Sequence, residues 1–236
     1  MSKVFVRGDT HANFDFLPSF CRKNCTTKED ILIIAGDSGI LYPRPSEEKT
    51  KAIIADYPIT LLCVRGNHEA RPEQRNMPLV YNEMVQGRVY AEEPYPNILY
   101  AQDGGTYTIS GKSFLTIGGA YSVDKPYRLL YKYFWNPEEL LNKEEQAKIL
   151  SKVKSIDYTI DYVITHTCPI IWEPTFLFLK GINQKEVDKS MEHFLAIIEK
   201  NIKYNNWYFG HYHADYIHLF GNERVNLLYN QIVQII

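Results

Sequence analysis

Long hydrophobic runs are missing from this chain. No apolar stretch approaches the roughly 20 residues of a membrane helix, so no membrane span is expected. The opening Met1-Ser2-Lys3-Val4-Phe5-Val6-Arg7-Gly8-Asp9 lacks the apolar core of a secretory signal. Cysteine is scarce: Cys21, Cys25, Cys63 and Cys168 show neither CxxC spacing nor the density of a disulfide scaffold, which predicts reduced thiols and a cytoplasmic location. Charge of one sign is absent too. Lys and Arg number 26 against 28 Asp and Glu, a net charge of −2. Without a basic field, neither long nucleic acid nor an anionic membrane is an expected partner. Repeats and low-complexity stretches are also absent, so residues 1–236 read as one domain. What remains, 45% hydrophobic and 23% charged residues, is the composition of a soluble globular protein.

Short apolar runs alternate with longer amphipathic segments. Val4–Val6, Ile31–Ala35 and Ile59–Val64 read as buried strands, with helices over Asn13–Cys25 and Ser46–Asp56 crossing between them. That order favours a parallel, helix-covered sheet. Asn97–Ala101, Thr106–Ile109 and Lys112–Ile117 read as an antiparallel meander divided by Asp103-Gly104-Gly105 and Ser110-Gly111. A capped helix is predicted at Asn136-Pro137-Glu138-Glu139. After a strand at Asp161–Thr165, another helix is predicted over Gln184–Glu199, striped by Val187, Met191, Phe194, Leu195 and Ile198. Trp207–Phe209 and two strands beyond Asp215 read as a second meander. The predicted architecture is α/β: two mixed sheets packed face to face between helices.

The chemistry-bearing residues fall just past the ends of predicted strands. Gly8-Asp9-Thr10-His11, Gly36-Asp37-Ser38-Gly39, Arg65-Gly66-Asn67-His68-Glu69, His166-Thr167-Cys168-Pro169 and Gly210-His211-Tyr212-His213 each follow one. Ligands of α/β sheets bind at the carboxyl ends of the strands, so these five loops should converge on one edge. They offer Asp9, His11, Asp37, Asn67, His166, His211 and His213. That set exceeds one tetrahedral site and suits two metal ions sharing a carboxylate. Imidazole, carboxylate and amide oxygen together accept Mn, Fe, Zn, Ni or Co, and ligand type alone does not choose among them; manganese is the first expectation.

Taken in order, these five motifs resemble those of the calcineurin-like metallophosphoesterases, over nearly the whole chain. The resemblance implies a four-layer αββα fold and a phosphatase reaction in which a hydroxide bridging two metal ions attacks a phosphate ester. It implies Asp9, His11, Asp37 and His213 on one ion, and Asp37, Asn67, His166 and His211 on the other, with Asp37 the bridge. It makes His68 the general acid rather than a ligand, a role that suits an imidazole whose neighbouring Asn is tied to metal.

The chain departs from the pattern in two places. Ile40 and Leu41 stand where the phosphoprotein-phosphatase branch has Asp-Arg, and Ala12 stands where the family has Gly. Arg65 and Arg128 are therefore the candidate substrate contacts. Arg128 belongs to a segment resembling a bacterial and phage subset of the family, Gly118-Gly119-Ala120-Tyr121-Ser122-Val123-Asp124-Lys125, continued by Trp135-Asn136-Pro137-Glu138-Glu139. This loop of about 18 residues is long enough to be functional. It carries Tyr121, Tyr127, Tyr131, Tyr133, Phe134 and Trp135, and is expected to set specificity. A phosphorylated small molecule or nucleotide is the expected substrate. A phosphodiesterase acting on nucleotides or nucleic acid is the alternative within this chemistry, and a catalytically inactive scaffold the alternative outside it.

Overall fold

The computed structural model describes residues 2–236. The first sheet is built on β1 (Val4–Arg7), β2 (Ile31–Ile34) and β3 (Thr60–Cys63), parallel neighbours with Val6 opposite Ile33 and Ile33 opposite Leu62. Two crossover helices, α1 (Leu17–Asn24) and α2 (Glu47–Asp56), join them. The sheet extends past β3 through β6 (Ile98–Ala101), β5 (Gly87–Ala91) and β4 (Leu79–Asn82). The second sheet runs β11 (Val225–Leu227), β10 (Tyr204–Phe209), β9 (Ile160–Thr165), β8 (Lys112–Ile117), β7 (Gly105–Ile109); only the β7–β8 pair is antiparallel.

Period-2 alternation assigns each strand two faces. Val4, Val6, Ile31 and Ile33 meet Tyr107, Phe114, Ile164 and Tyr208 between the sheets. Phe5, Leu32, Ile34 and Leu61 face Leu17 and Cys21 of α1 and Ile54 of α2. On the far side, Leu115, Val163, Trp207 and Phe209 pack on Ile149 and Val153 of α4 (Lys143–Lys154), and on Met191, Phe194 and Ile198 of α5 (Ser190–Asn201). The layers are helix, sheet, sheet, helix, as the sequence predicts.

Several local expectations are corrected. The three-strand meander does not exist as such: β6 joins the first sheet beside β3, while β7 and β8 form a hairpin in the second. The last strands separate likewise, β11 lying parallel to β10 and β12 (Val233–Gln234) antiparallel to β1. The helix expected at Asn136 begins one motif later. Asn142 caps α4, its Oδ1 accepting from the amides of Glu144 (2.9 Å) and Glu145 (3.0 Å), and Glu145 returns the bond. At Asn136 only a turn forms: its Oδ1 accepts from the Glu138 amide at 3.0 Å as a cap would, but its Nδ2 donates to the Glu69 carbonyl at 2.9 Å, and no helix follows until Asn142. α5 starts at Ser190 rather than Gln184, and Val187 leaves its stripe for a cavity wall. The expected long loop contains a short helix, α3 (Lys125–Leu130).

Candidate metal centre

The parallel strands β1, β2 and β3 of one sheet and β8, β9 and β10 of the other end at the same edge. Their loops bring Asp9, His11, Asp37, Asn67, His68, His166, His211 and His213 together. Five residues here hold a left-handed backbone: His11 (φ 45°), Ala12 (62°), Asp37 (44°), His211 (71°) and His213 (49°). Such conformations cost about 1–3 kcal/mol each and persist where the surroundings enforce them, characteristically at functional sites. Two glycines make the close approach possible. A Cβ on Gly36 would fall 1.9 Å from His166 Nδ1, and one on Gly66 would fall 1.9 Å from Asp37 Oδ1.

Asp9 and Asp37 are the buried carboxylates. Asp9 Oδ1 accepts from the His211 amide at 2.9 Å. Its Oδ2 has no hydrogen-bond partner and lies 3.2 Å from His213 Nε2 and 3.7 Å from His11 Nε2. Asp37 Oδ1 accepts from the His68 amide at 2.9 Å. Its Oδ2 faces three imidazoles: His166 at 3.7 Å, and His11 and His68 at 4.0 Å each. Burial opposes ionisation of both acids. The close His213 imidazole at Asp9 and the field of His166 at Asp37 outweigh it, so both stay below the usual carboxylate range.

His166 and Asn67 make a contact that tests the fit of a cation. His166 Nδ1 lies 3.0 Å from the Ala35 carbonyl, and a carbonyl can only accept, so Nδ1 carries the proton. In the neutral ring Nε2 is then a bare acceptor. Asn67 Nδ2 donates to Ser122 Oγ at 2.8 Å, which turns its Oδ1 toward His166 Nε2 at 2.7 Å. Two acceptors this close repel each other unless they share a cation. The Ala35 carbonyl and Ser122 hydroxyl therefore orient lone pairs inward, as partners of metal ligands do. Ligand atoms of Asp9, His11 and His213 lie within 4.8 Å of one another, as do those of Asp9, Asp37 and His166. The donor set fits metal ions.

The supporting layer comes from residues that the sequence marked neither as metal ligands nor as supports of them. Glu69 accepts from Ser38 Oγ, from the Gly39 amide (2.7 Å) and from the Gly66 amide (3.1 Å), so one carboxylate clamps the Asp37 loop to the Asn67 loop. Burial and the nearby Asp37 charge push it up to about 7. Ser122, which orients Asn67, donates to Glu139, and Glu139 accepts from the Trp135 indole at 2.9 Å. The segment from Gly118 to Glu139 thus braces Asn67 from behind. Glu69 directly follows His68 in the third motif, and its burial is what reveals the role.

His68 lies at the mouth, Nε2 4.0 Å from Asp37 Oδ2 and 4.0 Å from Asp124 Oδ1. Burial lowers its pKa, opposed by these two carboxylates. Arg128 Nε binds Asp124 Oδ2 at 2.7 Å, and its Nη1 reaches the Phe134 carbonyl at 3.2 Å. Arg65 points away from the cavity: Nε binds Asp103 at 2.9 Å and Nη1 the Glu139 carbonyl at 2.7 Å, a brace between loops. Ile40 (0% exposed) and Leu41 (2%) pack in the core against α1 and α2, so nothing polar reaches the site from there. Of the aromatic loop, Tyr121 lines the cavity, while Tyr127, Tyr131 and Tyr133 cluster on the surface. A cavity of about 260 Å³ opens beside Asp37, Asn67, His68, His211 and His213, and its far wall is Leu177, Phe178, Leu179, Ile182 and Val187.

A four-layer sandwich with buried carboxylates, imidazoles and an amide oxygen at one strand edge defines a metal-dependent hydrolase. The sequence profile of the calcineurin-like phosphoesterases matches residues 2–215, and the chain belongs to that family of phosphate-ester hydrolases, which work with a dinuclear metal centre. Among solved structures, the phosphopantetheinyl hydrolase of Mycobacterium tuberculosis is similar over 100% of this chain and 96% of its own, with 11% identity and a TM-score of 0.51. The protein TT1561 of Thermus thermophilus is similar over 96% of this chain and 88% of its own, with 15% identity and a TM-score of 0.50. These likenesses are of fold. No curated protein sequence matches the chain. Among the described residues no helix is long and apolar enough to cross a membrane.

Proposed function

We propose that this phosphoesterase hydrolyses a phosphate ester of a small molecule or nucleotide, with Asp37 shared between two metal ions and His68 protonating the leaving oxygen. The observation that carries this reading is Asp37 itself. One oxygen is fixed by the His68 amide, and the other is left facing His11, His68 and His166. Asp9, His11, Asp37 and His213 would hold one ion, and Asp37, Asn67, His166 and His211 the other, manganese being the first expectation. Such a pair, when bound, supplies an acidified water and neutralises phosphoryl oxygens during in-line displacement.

The remaining work falls to this chain's own side chains. The His68 amide is pinned to Asp37, so its imidazole keeps a fixed distance from the metal ligands. The Asp124–Arg128 pair would supply what Ile40 and Leu41 lack, a carboxylate 4.0 Å from His68 and a guanidinium that would donate to a phosphoryl oxygen. Near-neutral charge and a compact cavity favour small substrates over long nucleic acid. Four unpaired cysteines suit a reducing cytoplasm.

The test is a pair of variants assayed with Mn²⁺. Asp37→Asn should lose metal and several orders of magnitude in kcat. His68→Ala should keep both metals and lose roughly 10²–10⁴-fold in kcat, with a smaller loss on p-nitrophenyl phosphate, whose leaving group needs little protonation. Full metal content and activity in Asp37→Asn would refute the shared carboxylate. A His68→Ala loss equal for good and poor leaving groups would refute the general acid.

A further inference from the structure

The far wall of the cavity carries a buried carboxylate that the phosphoryl chemistry does not use. Glu192, 3% exposed, stands on the first turn of α5 and lines the cavity. Its Oε1 accepts from Thr167 Oγ1 at 2.8 Å, and its Oε2 has no hydrogen-bond partner. Lys189 does not neutralise it, because its ammonium pairs with Glu173 at 2.6 Å and stacks over the Phe178 ring. The surrounding wall is apolar: Leu177, Phe178, Leu179 and Ile182 from the irregular segment before α5. An orphaned buried acceptor is costly, and sites built around one discriminate strongly for ligands that satisfy it.

We infer that this wall is a leaving-group subsite, selecting phosphate esters of a compact aromatic or apolar alcohol that presents a hydrogen-bond donor to Glu192 Oε2. The inference rests on the hydrolase reading above and deepens it. The metal side of the cavity holds the phosphoryl group. The alcohol lies against Phe178, Leu179 and Ile182, and an N–H or O–H on it completes the Glu192 carboxylate. A volume of about 260 Å³ admits a ring-sized group and no folded peptide.

The experiment compares 4-aminophenyl phosphate, its 3-amino isomer and 4-methylphenyl phosphate, which have similar shape and leaving-group basicity, with glycerol 2-phosphate as the small polar reference. With the full chain loaded with Mn²⁺, kcat/KM should favour one aminophenyl ester over the methylphenyl ester by at least about tenfold. Glu192→Gln should bring that ratio close to one. Leu179→Asp, at an exposed lip that tolerates substitution, should lower kcat/KM for all three aryl esters relative to glycerol 2-phosphate. Binding of 3- and 4-aminophenol against 4-methylphenol, measured by calorimetry, should follow the same order. Ester hydrolysis with no preference for the amino compounds, or a preference that survives Glu192→Gln, overturns the subsite. Absence of turnover on every ester overturns the hydrolase reading instead, and the phenol binding order then decides the subsite alone.

Discussion

Metal loading should raise the thermal stability of this chain by an amount that separates one bound ion from two. The centre crowds together ligand atoms that a cation would share. Asp9 Oδ2 is buried without a hydrogen bond, His11 Nε2 faces His213 Nε2 at 2.9 Å, and His166 Nε2 faces Asn67 Oδ1 at 2.7 Å. These groups cluster in two places, one around His213 and one around Asn67. An ion that binds only the native state, present at about 100 times its Kd, contributes about 2.7 kcal/mol. In a chain of this size 1 kcal/mol moves Tm by roughly 2–4 °C. One ion is therefore worth about 5–11 °C and two about twice that. The assay is scanning calorimetry of chelator-stripped protein titrated with Mn²⁺, with metal content measured on the same samples. Asn67→Ala and His213→Ala should each retain about half the shift and one equivalent of metal. A shift below about 2 °C with every divalent ion from Mn to Zn would refute the centre. A full shift in both variants would refute the assignment of ligands.

Glu192 should make stability pH-dependent. Burial raises its carboxyl from an ordinary 4.5 to about 7, so its contribution is fully present below pH 4.5 and is lost as pH rises through 7. That shift corresponds to about 3 kcal/mol. Urea unfolding should show wild type losing about that much between pH 4.5 and 8 relative to Glu192→Gln, and parallel curves would contradict it. Arg128→Ala should reduce kcat/KM for the best substrate roughly 10- to 150-fold at unchanged metal content, the worth of one charge-assisted hydrogen bond; a kinetically silent variant removes Arg128 from the site. Asn142→Ala should cost about 1 kcal/mol as a lost helix cap. Asn136→Ala should cost more, because it orphans the buried Glu69 carbonyl; equal costs in urea melts would show that its tertiary bonds carry nothing.

The layers of the fold were legible because they rest on local signals. Val4–Arg7, Ile31–Ile34 and Thr60–Cys63 are short, apolar and separated by crossover lengths, which leaves little choice beyond a parallel sheet. The sheet to which each later strand belongs was not legible. Ile98–Ala101 and Gly105–Ile109 are separated by a tight turn, yet they pair in different sheets, because β6 finds β3 and β5 while β7 finds β8. Pairing of that kind depends on partners far along the chain. The two Asn-x-Glu-Glu sequences make the same point within ten residues. Asn136 and Asn142 offer equal capping chemistry and each accepts from the amide two residues on, yet Asn136, whose amide nitrogen also bonds Glu69 and Gln74, opens only a turn, whereas Asn142 opens α4.

The metal centre and the leaving-group wall differ for the same physical reason. A ligand at a strand end is placed by the strand, and neighbouring parallel strands finish at one edge, so Asp9, Asp37, Asn67, His166 and His211 could be brought together by counting strands. The wall has no such register. Residues 178–189 form no regular helix or strand, and their place against Tyr121 and Val123 follows from Trp172 packing on Trp207 at one end and from α5 docking through Met191 and Phe194 at the other. In the linear pattern Glu192 is an acid beside an apolar stripe, where a solvated position is the ordinary expectation. It becomes chemistry only when Thr167, delivered by β9, takes one of its oxygens and nothing takes the other. Catalytic machinery held at strand ends is therefore readable from order and spacing, whereas the residues that choose a substrate are set by packing between distant segments.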